Sequence, residues 1–127
     1  MKIDLRKLPK EKREFSLDVK DGEDFANFTG CFYLESPFLV VDGRIHGQVN
    51  VICDTSGEWF ADKLDEDVKI KVIEGSYKGF DELYDIIEVD GDIFDVELFI
   101  KDEMELFRND YHKKVDSSPK ELIIENL

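Results

Sequence analysis

Arg44-Ile45-His46-Gly47-Gln48-Val49-Asn50-Val51-Ile52-Cys53-Asp54-Thr55-Ser56-Gly57-Glu58-Trp59 is the stretch that decides the fold. Ile45, Gly47, Val49, Val51 and Cys53 fall on one face, and His46, Gln48, Asn50 and Ile52 on the other. Period two marks a half-buried strand, because successive side chains of an extended chain point to opposite sides. Asp42-Gly43 before it reads as a hairpin turn, since glycine accepts positive φ without a Cβ clash. Asp54-Thr55-Ser56-Gly57 reads as the turn that follows.

Working outward, Trp59 opens a return strand. Its far end carries Val68, Ile70 and Val72 on one face and Lys69 and Lys71 on the other. The acidic middle, 62–67, reads as a bulge or an exposed twist. Upstream, residues 2–6 alternate as a short strand that Pro9 helps to end. Phe15, Leu17 and Val19 alternate as a second strand, closed by Asp21-Gly22. Phe25 and Phe28 stand at i, i+3 and read as one helical turn ending at Gly30. Residues 31–41 are apolar; Pro37 splits them or sets them at a sheet edge, leaving Phe38–Val41 as the firm part.

Downstream, Gly75–Gly79 reads as a loop and Leu83–Val89 as a strand stopped by Asp90-Gly91-Asp92. The period then changes to helical. Val96, Phe99, Ile100, Met104 and Phe107 form one stripe, with Leu106 at its edge, so a helix is predicted over 94–109. Asp92 or Asp95 can cap its start, and Arg108, Lys113 and Lys114 complement the negative end of its dipole. The expected fold is one α+β domain over 1–112: a mainly antiparallel, twisted sheet or partial barrel capped by one C-terminal amphipathic helix. Val49, Val51, Trp59, Ile70, Val72, Ile86, Phe99, Ile100 and Phe107 are the expected core. Residues 113–127 read as a tail with an apolar patch at Leu122-Ile123-Ile124.

The chain has 127 residues, a size typical of one domain with its own core. Its formal net charge is −14. Such a surface repels phosphate backbones and anionic lipid heads, and it favours basic protein partners. No membrane contact is expected: apolar runs are short, and the first residues carry no apolar signal core, which makes the chain read as cytosolic. Cys31 and Cys53 are too few for a disulfide framework and read as buried small hydrophobes.

No constellation of reactive residues emerges, and no cofactor or catalytic residue is expected. Cys31, Cys53, His46 and His112 would number four, the count a structural zinc takes. Yet His46 and Cys53 are an odd number of residues apart on one strand, which places them on opposite faces about 23 Å apart. A tetrahedral site cannot use both. There is no nucleophile elbow, P-loop or glycine-rich dinucleotide turn. Asp65–Asp67 and Asp90–Asp92 lack the ligand ladder of a calcium loop and read as solvated turns. Lys69, Lys71 and Lys78 are the basic cluster of the expected sheet. With Arg44, His46 and Trp59, Lys69 and Lys71 are the candidates for partner contact.

Three segments in order carry a resemblance. They are Lys2-Ile3-Asp4-Leu5-Arg6-Lys7-Leu8-Pro9, then Ile45-His46-Gly47-Gln48-Val49-Asn50-Val51-Ile52-Cys53-Asp54. The third is Glu88-Val89-Asp90-Gly91-Asp92-Ile93-Phe94-Asp95-Val96 running on into Ile100-Lys101-Asp102-Glu103-Met104-Glu105-Leu106. Together, over 1–112, they resemble the YceD-like family, the bacterial large ribosomal RNA subunit accumulation proteins. The resemblance implies a non-enzymatic part in accumulation of large-subunit ribosomal RNA and in ribosome assembly. The implied partner is a basic large-subunit ribosomal protein or a pre-ribosomal particle, with direct rRNA contact as the alternative and a small enzyme as a third reading. Many members carry a Cys-x-x-Cys after the central strand. Here the second thiol is replaced by Ser56, so this chain should not hold zinc there. His112 lies near a position where some relatives carry His, and the sequence assigns it no role.

Overall fold

The computed structural model describes residues 1–113, so the expected apolar patch at Leu122–Ile124 lies outside the described residues. The architecture is α+β. Seven strands run β1 (Lys2–Asp4), β2 (Arg13–Asp21), β3 (Asp24–Glu35), β4 (Phe38–Ile52), β5 (Trp59–Glu74), β6 (Asp85–Val89) and β7 (Ile93–Asp95). One helix, α1 (Val96–Arg108), follows. Five strands form an open sheet in the order β2-β3-β4-β5-β6, and β1 pairs with β7 in a separate two-stranded ribbon. The main sheet is antiparallel except at β5 and β6, which run parallel. It does not close into a barrel.

Strand parity sorts the chain into two faces. Ile45, Val49 and Val51 of β4 and Leu64, Val68, Ile70 and Val72 of β5 point inward and are buried. On α1, Val96, Ile100 and Met104 are fully buried against that face, while Phe99 and Phe107 pack at its margin. Apolar burial of this kind is the main driving force for folding, at about 1.5–3 kcal/mol for each fully buried large side chain. Asp95 caps α1 by accepting the Leu98 N–H at 3.1 Å, and Arg108 stands in its last turn.

Several expectations change. Asp42-Gly43 is not a turn: β4 runs unbroken through it, and Gly43 lies opposite Gly30 in the middle of the ladder. The pair is glycine because two backbones and a ring converge there. A Cβ on Gly43 would stand 2.5 Å from the Thr29 carbonyl oxygen, 2.8 Å from Phe28 Cε1 and 2.9 Å from the Gly30 Cα. Phe25 and Phe28 do not form a helical turn; they lie in β3 on opposite faces, Phe28 buried and Phe25 half exposed. The turn between β3 and β4 is Ser36-Pro37, joined by a cis peptide; the ladder closes at Glu35↔Phe38, so Pro37 lies in neither strand. The acidic 62–67 stretch contains no bulge, since every residue from Trp59 to Val72 keeps its partner on β4. Trp59, expected in the core, is 68% exposed. Counting back in twos from Ile70 reaches Phe60, so Trp59 belongs to the other face. Ile86 is only half-buried, as are Phe99 and Phe107.

Gly43→Ala should cost about 1–3 kcal/mol through overpacking. Trp59→Ala, on an exposed ring, should stay within about 0.5 kcal/mol. Urea midpoints at unchanged slope measure both.

Candidate functional site

The outer face of the sheet collects the candidate residues. Arg44 and His46 on β4 and Trp59, Lys69 and Lys71 on β5 all point outward, as the register requires: Arg44 faces Asp67, His46 faces Asp65, and Ile52 faces Trp59. The ladder thus places them on one surface but spreads them along its length. Trp59 and Lys71 are twelve residues apart on one strand, about 40 Å.

At the Lys71 end the face is covered. The 75–84 loop folds back over it, with the Tyr77 ring edge-on to Phe38 at 5.1 Å between centroids. The Tyr84 hydroxyl donates to Asp42 at 2.9 Å. This cover buries Phe38 and Val40 on the outer side while Leu39 and Val41 are buried on the inner side. Lys71 lies beneath it, bonded to Asp81 at 2.7 Å and Glu35 at 3.0 Å, with its ammonium 5.2 Å from the Tyr84 ring centroid. The hydrogen bond to Asp81, then that to Glu35, hold the Lys71 ammonium well above the usual lysine range, and the same bond holds the Asp81 carboxyl low. Lys69 pairs with Asp42 at 3.2 Å. Farther along, Arg44 bonds Asp65 at 2.8 Å and Asp67 at 2.6 Å. Arg44, Lys69 and Lys71 are therefore each answered by at least one carboxylate, while Lys78 stands exposed on the 75–84 loop. The exposed pairs of Arg44 and Lys69 add little stability, but all of these pairs reduce the positive potential a phosphate backbone needs.

His46 and Trp59 lie in the uncovered part of the face. His46 lines an open depression of about 530 Å3 with Phe25, Gly47, Gln48, Lys63 and Leu64. Its side chains do not join a nucleophile to a base. Cys53 points the other way: it is buried, with Sγ 3.2 Å from Thr55 Oγ1, so the His46–Cys53 separation onto opposite faces is observed. Cys31 is half-buried on β3 rather than in the core. Among the described residues no group of three or more His, Cys, Asp or Glu is arranged to hold a metal ion. No described helix is long and apolar enough to cross a membrane.

Two sites escaped the sequence reading. Asp24 is a buried carboxylate that accepts the Asn50 backbone N–H at 2.9 Å and receives Arg108 at 2.9 Å, while Arg108 also bonds Asp21 and Glu105. This ties the end of α1 to the β2–β3 hairpin. His112 is the second. It is 5% exposed; its backbone N–H donates to Asp54 at 2.6 Å, its Nδ1 stands 2.9 Å from Asp62, and its Nε2 meets the Phe107 carbonyl. With acceptors on both ring nitrogens, the imidazolium is the form that satisfies them. Burial alone would lower its pKa, but Phe107 and Asp62 together raise it above the ordinary value. No spacing rule connects Asp24 with Arg108 or Asp62 with His112, so neither contact could be read before the fold.

No family model, curated protein or solved structure matches this chain.

One more feature faces inward. Glu66 occupies an inner position of β5 and meets Glu103 on α1; burial and that neighbour push the Glu103 carboxyl up to about 7. A raised folded pKa means stability that is complete below the unfolded value and lost as pH rises through the folded one. For Glu103 that window is from its ordinary value, 4.5, to about 7. For His112 it lies above 6.5. Both act in the same sense. The melting temperature should rise as pH falls from about 8 to about 5.5. Glu103→Gln should raise it at the alkaline end and flatten the profile, as thermal melts across that range will show.

Proposed function

We propose that this protein is a non-enzymatic assembly factor that binds a basic ribosomal protein in the bacterial cytoplasm and so supports accumulation of large-subunit ribosomal RNA. The ribosomal part of this reading rests on the sequence resemblance. The preference for protein over RNA rests on one observation: Arg44, Lys69 and Lys71, three of the cations on the outer face, are each engaged by carboxylates. A chain of net charge −14 with these three cations so neutralised attracts lysine- and arginine-rich surfaces and repels polynucleotide. Shielding such a surface until it meets rRNA is a service that needs no catalytic group.

Capture experiments with immobilised full-length protein test this. Basic large-subunit proteins should be retained at low salt and released as salt rises, while rRNA fragments pass through. Tight RNA retention with a steep salt dependence, without a protein partner, would overturn the reading.

A further inference from the structure

We propose that the exposed end of β4, Trp59 and the C-terminal end of α1 form a docking trough for an extended basic segment of a partner protein, with an arginine or lysine laid over the Trp59 ring. This deepens the assembly-factor reading and rests on it for the nature of the partner.

The first observation is a strand that outruns its neighbour among the described residues. The β3–β4 ladder ends at Phe25↔Gln48, whereas β4 continues to Ile52. On the β3 side of Asn50–Ile52 no strand pairs among the described residues, and the Asn50 N–H is met by the Asp24 side chain. Past the Asn50 N–H, which Asp24 already holds, an extended peptide can add itself to the remaining main-chain groups of this end, with alternate side chains providing selectivity.

The second is an apolar platform beside that edge. Ile52 and Trp59 are cross-strand neighbours, 45% and 68% exposed. They border a hollow of about 320 Å3 whose opposite wall is Glu105, Arg108 and Asp110 at the end of α1. An indole held open to solvent beside carboxylates attracts a cation to its face.

The third is charge. Asp54 and Asp110 line the hollow, each fixed by accepting a backbone N–H, from His112 at 2.6 Å and from Tyr111 at 2.8 Å. Arg108, the cation of the lining, is already committed to Asp21, Asp24 and Glu105. The carbonyl end of α1 adds its own negative partial charge. A second copy of this acidic chain or a nucleic acid would bring more negative charge to the same place, so a basic segment is the occupant whose charge fits.

Trp59 is the chain's one tryptophan, so the site carries its own reporter. Full-length protein is titrated with a peptide of alternating arginine and valine, against a glutamate–valine peptide as control. A saturable change in Trp59 emission is expected with the first only. Anisotropy of the labelled arginine peptide should show Trp59→Ala, with unchanged circular dichroism, binding about tenfold more weakly. Asp54→Asn should also weaken it. Equal affinity in Trp59→Ala, a stronger response to oligouridylate, or Trp59-dependent self-association in sedimentation would each overturn the trough. Capturing a basic ribosomal protein with wild type and Trp59→Ala separates the two claims. Equal capture leaves the assembly reading intact and removes the trough. Failure of capture by wild type, with peptide binding still dependent on Trp59, removes the ribosomal partner and keeps the trough.

Discussion

The unbroken ladder between β4 and β5, from Leu39↔Val72 to Ile52↔Trp59, is the constraint on which the rest depends. Because side chains alternate, one register assigns every residue of both strands to a face. A slip of β4 by one would expose Ile45, Val49 and Val51 together and turn Arg44 and His46 into the core. The buried face of α1 holds the inner side in place, and the cross-strand pairs Arg44–Asp67 and Lys69–Asp42 agree with the same register on the outer side.

Much of the fold was legible because it obeys simple periods. The stripe from Val96 to Phe107 gave the helix, and β4 and β5 showed their alternation. What misled were residues whose local meaning differs from their tertiary one. Asp42-Gly43 carries the chemistry of a turn, yet its glycine serves a close approach to Gly30 inside a sheet. Phe25 and Phe28 have helical spacing by coincidence within β3. Trp59 was placed by size, whereas parity decides. The run Phe38-Leu39-Val40-Val41 is apolar on both faces because the 75–84 loop covers one of them, and that loop's position was invisible in sequence.

The candidate surface was legible in membership but not in state. Arg44, His46, Trp59, Lys69 and Lys71 do share one face. Their ion pairs, however, come from residues brought near by folding: Asp81 from the loop to Lys71, and Asp65 and Asp67 across the ladder to Arg44. The same holds for the Asp24–Arg108 and His112–Asp62 contacts, which draw the end of α1 onto two hairpins. Charge composition foresaw the acidic surface; only the fold shows which cations it has consumed.

The pairing of β1 with β7 carries a consequence for how the chain is made. Ile3 lies opposite Phe94, and the Val96 N–H reaches back to the Met1 carbonyl at 3.0 Å. The hairpins β2–β3, β3–β4 and β4–β5 are closed by neighbours in sequence and can zip as soon as they are synthesised. β1 must wait for a mate that is translated last but for the helix, so the core's final layer is sealed only when α1 has emerged.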